Sequence, residues 1–204
     1  MRIISGRSKG RVLASPKGQA IRPTSDRVKE SIFNILQNKL GGKVVLDLFA
    51  GTGNLGIEAL SRGAKKAIFV EKGRQALGLI KRNLTQSGLE KRSEILPRDV
   101  RRAIGILRQR RECFDLILMD PPYERGLIRK TLLELNSQQI YHKDSILVIE
   151  HTRREPLLHI LEGWNLIRQR RMGDTMISFL TPQEDHGLTQ GENGAPRAKP
   201  VVPS

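Results

Sequence analysis

The stretch from Val44 to Leu60, VVLDLFAGTGNLGIEAL, limits what this chain can fold into more than any other part of it. A short apolar run, Val44 to Leu46, reads as a buried strand that Asp47 closes. Gly51, Gly53 and Gly56 then form a turn, and Ile57, Ala59 and Leu60 mark a new helix. Glycine lets the backbone bend sharply and come close to a ligand, while the first turn of a helix presents N–H groups without partners of their own. Strand, glycine turn and helix in that order make the ligand-binding corner of an open α/β sheet.

The glycine spacing leaves the ligand open. Gly51-x-Gly53-x-x-Gly56 also fits a dinucleotide fingerprint, and Glu71 stands about twenty residues on, where a ribose-binding acid is expected. Two further features separate the readings. Asp47 sits four residues before Gly51 at the carboxyl edge of the strand, where an adenine dinucleotide turn usually needs no carboxylate but a ligand with a free ammonium group would want one. Asp120-Pro121-Pro122-Tyr123 follows directly on the apolar run Phe114 to Met119. Together they resemble the class I, S-adenosylmethionine-dependent methyltransferases that act on exocyclic amino groups of nucleobases, with a nicotinamide dehydrogenase as the displaced alternative.

Further strands are expected at Ala67 to Val70, Ser93 to Leu96, Phe114 to Met119 and Ser145 to Glu150. Helices around Ala76 to Leu84, Ile104 to Leu107 and Ile128 to Leu135 separate them. Such alternation predicts a parallel, doubly wound sheet. Trp164 to Arg168 and Thr175 to Leu180, separated by Arg170-Arg171-Met172-Gly173-Asp174, predict an antiparallel hairpin at the sheet edge. The expected fold is α/β and Rossmann-like, a seven-stranded, mostly parallel sheet of the class I methyltransferase type. Upstream, Thr24, Ser25 and Asp26 cap a helix carrying Val28, Ile32, Phe33, Ile35 and Leu36 at helical spacing, which Gly41-Gly42 ends. The chain thus divides into a basic hairpin extension (1–23), a methyltransferase domain (24–181) and a tail (182–204) whose composition predicts disorder.

Charge points to a partner. The 204 residues carry 36 Lys plus Arg against 21 Asp plus Glu, a net +15 that favours a polyanion such as nucleic acid. Residues 1–43 hold ten basic residues and two acids, Asp26 and Glu30, so the hairpin suits a phosphate grip as well as a solvated edge. Lys91 to Arg111 holds eight basic residues and two acids, where solvation of a helix face serves equally well as an explanation. Cys113, the single cysteine, excludes an intrachain disulfide and a cysteine-rich metal site, fits a reducing cytoplasmic setting, and reads as a small packing residue. His142, His151, His159 and His186 are scattered, so no metal is expected. No apolar run approaches a membrane span, and no signal peptide or anchor is expected.

In an open α/β sheet the ligand lies beyond the carboxyl ends of the strands, which collects Asp47, Gly51 to Gly53, Glu71, Asp99 and Asp120 to Tyr123. Any one of these acids could instead be a helix N-cap, Asp99 above all. Asp120-Pro121-Pro122-Tyr123 has a chemical rationale of its own. The lone pair of a nucleobase amino group is delocalised into the ring, so acceptors must hold its two hydrogens and aim it at the methyl group. Asp120 offers a carboxylate oxygen and Pro121 a main-chain carbonyl. Pro121 and Pro122 stiffen the turn, and Tyr123 supplies a ring on which an extruded base can rest.

Arg2-Ile3-Ile4-Ser5-Gly6, Lys9-Gly10-Arg11, the run RPTSDRVKE from Arg22 to Glu30, LDLFAGTGNLGIEALSRGA from Leu46 to Ala64, and DPPY occur here in that order. Over residues 1 to about 181 the chain resembles the RsmD family of small-subunit ribosomal RNA guanine-N2 methyltransferases. The resemblance implies that Asp47, Phe49, Gly51 and Gly53 hold the methionine moiety of S-adenosylmethionine, with Thr24 near the same end. It further implies that Glu71 holds the ribose hydroxyls and Asp99 the adenine amino group, and that Asp120 to Tyr123 carry catalysis. Arg7, Lys9, Arg11, Arg22 and Arg27 would contact RNA. The implied partner is 16S rRNA in a partly or fully assembled small ribosomal subunit, methylated at one guanine by a monomeric enzyme without metal. A DNA adenine-N6 methyltransferase shares the acceptor motif but would need a sequence-reading domain for which the chain has no room. A non-catalytic RNA-binding protein should carry a broken cofactor or acceptor motif, and both are intact.

Overall fold

Strands apolar on both faces must be covered on both sides, and this chain covers them by alternating strand with helix. The computed structural model describes residues 1–15, 25–36, 40–123, 125–157 and 159–183. The expectations for Arg22, Thr24 and the tail from residue 184 onward lie outside the described residues. The elements in chain order are α1 (Asp26–Leu36), β1 (Val44–Leu48), α2 (Asn54–Ser61), β2 (Lys66–Val70), α3 (Arg74–Ser87), β3 (Ser93–Leu96), α4 (Val100–Gln109), β4 (Phe114–Met119), α5 (Leu127–Gln138), β5 (Tyr141–Thr152), β6 (Trp164–Met172) and β7 (Thr175–Pro182). A short 3-10 turn, Glu90–Arg92, precedes β3.

Among the described residues the strands form one seven-stranded sheet in the order β3-β2-β1-β4-β5-β7-β6. All pairs from β3 to β5 are parallel, and β7 runs antiparallel between β5 and β6. The strand order reverses direction between β1 and β4, which is where an open sheet of this kind opens a crevice. One face packs against α1, α2 and α3 through Ile32, Phe33, Ile57, Leu60 and Phe69. The other packs against α4 and α5 through Ile104, Leu107, Leu132, Leu135 and Trp164.

The first residues form a hairpin. Ile3 N–H donates to the Arg11 carbonyl at 3.0 Å, Gly10 N–H to the Ile3 carbonyl at 2.8 Å, and Arg2 bridges Val12. Ile3 and Leu13 are buried in the same cluster as α1 and α2. Polar groups fix the docking. Glu58 of α2, fully buried, accepts N–H groups from Ile4 at 2.8 Å and Ser5 at 3.1 Å and the Arg62 Nε–H at 2.7 Å. The equally buried Lys29 lies 3.7 Å from Glu58 and donates to Asn54 Oδ1 at 2.7 Å and to the Arg2 carbonyl. Gly6 seats the hairpin against α2, with φ +84° and a position where a Cβ would meet the Ser61 carbonyl oxygen at 1.9 Å.

Three expectations need correction. Strand β5 begins four residues early, at Tyr141, and β6 runs on through Met172, so that Met172 pairs with Thr175 and only Gly173 and Asp174 turn. Arginines do not break a strand whose outer edge faces solvent, so Arg170 and Arg171 belong to β6 and not to the turn. Cys113 is exposed, because it sits ahead of β4 and burial begins at Phe114. Among the described residues no helix is long and apolar enough to cross a membrane.

Candidate active site

Sheet register builds the site. Leu48 pairs with both Val70 and Met119, and Met119 pairs with Ile149. The next residue on each strand is therefore Phe49, Glu71, Asp120 or Glu150, four side chains at one level above the sheet. Neighbouring strands lie about 4.8 Å apart, so Asp120 and Glu150 are adjacent while Glu71 stands two strands from Asp120. Asp47 lies one pleat deeper, beneath Phe49.

Phe49 has φ 60°, a left-handed conformation that costs a non-glycine residue about 1–2 kcal/mol. It turns the chain out of β1 and over the crevice. Gly56, in the first turn of α2, permits the close packing behind it, since a Cβ there would lie 2.4 Å from Phe69 Cε1 and 3.0 Å from Asp47 Oδ2. Asp47 Oδ2 accepts the Gly56 N–H at 2.8 Å, so this carboxylate ties strand to helix. Burial, then the nearby charges of Asp120 and Glu71, push its carboxyl up from 3.8 to about 7. The fold holds a buried acid beside two other acids, an arrangement that a cation in the crevice would stabilise.

Glu71 organises the glycine turn. Its Oε2 accepts Gly51 N–H at 2.9 Å, and its Oε1 accepts Lys72 N–H at 2.8 Å and Gly73 N–H at 2.7 Å. A carboxylate has about four acceptor positions, so three are already used and one remains on Oε2. Asp99 caps α4, accepting the Arg102 N–H at 3.1 Å, and also faces the crevice. Ser25 caps α1 by accepting the Val28 N–H at 3.2 Å.

Asp47, Phe49, Gly51, Glu71, Asp99 and the whole of Asp120-Pro121-Pro122-Tyr123 line one cavity of about 740 Å³. Gly53 does not reach it. That residue caps α2 with φ 78°, donates its N–H to the Ala50 carbonyl, and faces Ile57, Phe69 and Ile80. Arg7, Lys9 and Arg11 sit on the docked hairpin outside the cavity. Arg7 N–H binds the Ser61 carbonyl, and Arg11 Nη1 donates to the Gln86 carbonyl near the end of α3 at 2.6 Å. Arg27 lines a separate groove between α1 and β6.

Sequence reasoning missed Glu150. It is buried on β5, lines the cavity, and accepts the Tyr123 hydroxyl at 3.2 Å. The signal was present as an acid at the end of an apolar run, but β5 continues past it to Thr152, so a search confined to residues after each strand passes over it. Burial, Glu150 and then Asp120 raise the Tyr123 phenol above its ordinary value, which keeps the hydroxyl a donor. The ring is thereby anchored at its tip while remaining 36% exposed. The cavity is acidic at its floor and basic at its rim, where Lys72, Arg74, Arg98, Arg101, Arg125 and Lys130 are exposed. Among the described residues no group of His, Cys, Asp and Glu could hold a metal ion.

The family described as Conserved hypothetical protein 95 matches residues 1–181. YlbH of Bacillus subtilis (strain 168) is 38% identical over 179 residues, spanning 88% of this chain and 97% of its own length. The chain belongs to the RsmD family. A further RsmD relative, the ribosomal RNA small subunit methyltransferase D of Escherichia coli (strain K12), is 30% identical over 195 residues, covering 96% of this chain and 94% of its own. Among solved structures, yhhF from Escherichia coli matches with a TM-score of 0.78 at 28% identity, covering 90% of this chain and 98% of that one. The architecture is the Rossmann-like class I methyltransferase fold. The glycine turn, Glu71, Asp99 and Asp120 to Tyr123 all fall within the matched RsmD segment.

Proposed function

We propose that this protein transfers a methyl group from S-adenosylmethionine to the exocyclic N2 of a guanine in small-subunit ribosomal RNA, with a partly or fully assembled subunit as substrate. The observation that carries the reading is that Asp120-Pro121-Pro122-Tyr123 and the glycine turn with Glu71 open into one cavity. A volume of about 740 Å³ suits a nucleoside-sized ligand together with a base. The buried Asp47 and the acids around it suit a cationic ligand.

When bound, S-adenosylmethionine supplies an electrophilic methyl group on a positively charged sulfur. Glu71 would offer its remaining acceptor position to the ribose while holding Gly51 in place, and Asp99 would hold the adenine amino group. Asp120 and the Pro121 carbonyl would accept hydrogen bonds from the two N–H groups of the target amine, turning its lone pair toward the methyl group, and the Asp120 carboxylate would balance the positive charge that develops on nitrogen and take the proton that nitrogen then gives up. Tyr123, steadied by Glu150, gives the extruded base a surface on which to stack. Lys and Arg around the rim and on the N-terminal hairpin contribute phosphate contacts that orient the RNA.

The test offers labelled S-adenosylmethionine with undermethylated small subunits, protein-free ribosomal RNA and unmethylated duplex DNA, followed by identification of the modified base. N2-methylguanine in RNA is the expected product. N6-methyladenine in DNA would overturn the substrate while retaining the acceptor chemistry. Transfer to subunits but not to free RNA would make assembled shape part of recognition.

A further inference from the structure

We infer that the groove between α1 and β6 is a second RNA-binding surface, one that grips the phosphodiester backbone beside the nucleotide held in the cavity. The inference rests on the RNA-methyltransferase reading above and adds the place and the residues. Arg27 of α1 and Arg168, Arg170 and Arg171 of β6 converge on a groove of about 540 Å³. All four are exposed, and among the described residues no carboxylate lies within ion-pair distance of any of them. Glu30 is the one acid among the described lining residues, against four arginines, of which Arg171 also donates its Nε–H to the Gly173 carbonyl at 3.1 Å. Asn34 and Met172 supply neutral polar and apolar surface between the charges, which suits the sugars of a nucleic acid strand.

The groove adjoins the catalytic cavity through two elements. On α1, Arg27 faces the groove while Ser25 and Val28 line the cavity. At the β6–β7 turn, Met172 lines the groove while its register partner Thr175 lines the cavity. A strand leaving the mouth of the cavity meets this groove within one helical turn of α1. Charged residues on an edge strand also serve to prevent edge-to-edge pairing. That role explains arginine on β6 but not the convergence of Arg27 from another element. An arginine fork also matches phosphate geometry, whereas edge protection requires only charge.

The test compares the wild-type protein with R168Q/R170Q/R171Q and with a control, K65Q/K91Q/R108Q, which loses the same charge at the amino ends of the strands, away from the cavity. A labelled, protein-free fragment of small-subunit ribosomal RNA is titrated by fluorescence anisotropy at several salt concentrations, and S-adenosylmethionine affinity is measured by calorimetry to verify the fold. If three phosphate contacts are lost, the slope of log K against log salt falls by about 2 and binding near 0.1 M salt weakens roughly ten- to a hundredfold. Cofactor affinity and the control variant stay at wild-type values. R168K/R170K/R171K, which keeps the charge, is expected to recover most of the slope. A slope in the glutamine variant equal to wild type overturns the inference, as does a lysine variant whose slope is no steeper than that of the glutamine one. Equal slopes combined with concentration-dependent self-association that the glutamine variant abolishes would assign the edge to a second copy of this chain. Failure of the wild-type protein to methylate any RNA would overturn the proposed function, while the slope comparison would still decide the groove.

Discussion

Replacing Asp47 with asparagine separates what the buried acid does for the fold from what it does for a ligand. Asp47 is 1% exposed, and its Oδ2 accepts the Gly56 N–H at 2.8 Å, a bond that an amide oxygen can keep. Burial, Asp120 and Glu71 raise its carboxyl from 3.8 to about 7. An acid whose folded pKa lies above its unfolded value binds more protons folded than unfolded. Its contribution to stability therefore falls as pH rises from about 4 through 7 and is constant above that. At pH 5 the loss amounts to roughly 1.5 kcal/mol, and at pH 8 to about 4 kcal/mol, at ~1.4 kcal/mol per pH unit. The amide of the D47N variant does not ionise, so the stability of that variant relative to wild type should improve by on the order of 2–3 kcal/mol between pH 5 and pH 8. Urea denaturation of both proteins at the two pH values measures that change, which is independent of how well the amide NH2 is accommodated. Parallel pH profiles would refute the reasoning. A cation bound nearby favours the ionised carboxylate, so cofactor binding below pH 7 should release protons from the wild-type protein and fewer from D47N. Calorimetry in two buffers of different ionisation enthalpy reads this directly.

Asp120→Ala should lower methyl transfer by a factor on the order of a hundred or more while leaving S-adenosylmethionine affinity within about threefold; normal turnover would remove Asp120 from the acceptor role. Glu71→Ala frees the N–H groups of Gly51, Lys72 and Gly73 together, so cofactor affinity should fall at least about tenfold, more than kcat does, as seen by calorimetry and steady-state kinetics. Glu58→Ala leaves Lys29 buried without that carboxylate and removes the acceptor for Ile4 and Ser5. A loss of about 3–5 kcal/mol in urea denaturation is expected, and a loss below 1 kcal/mol would show that the hairpin is not held this way.

The carboxyl edge of the sheet was legible in the sequence because each strand carries its own signal. An apolar run followed by an acid marks Asp47, Glu71 and Asp120 locally, and glycine at positions 51, 53 and 56 marks the turn. Periodicity likewise located α3, α4 and α5 and the reversal at the end of the chain. How far a strand runs carries no local signal. β5 continues past Glu150 to Thr152 in its pairing with β7, so this acid did not stand out as a strand end although register puts it level with Asp120, and the length of β6 emerges from its pairing with β7, not from its arginines.

Residue type and spacing determined by themselves the class of fold, the glycine turn and the Asp-Pro-Pro-Tyr corner after β4, since backbone freedom, strand periodicity and the chemistry of carboxylates act over a few neighbouring residues. Tertiary structure alone decided that Gly53 is a packing residue rather than a cavity wall, that Glu71 is largely engaged by backbone N–H groups, and that Glu58 and Lys29 bind the hairpin to α2. It also decided that Arg27 shares a groove with β6. Each of these depends on contacts between residues far apart in the chain, where burial and the competition among hydrogen-bond partners determine what a side chain has left to offer a ligand.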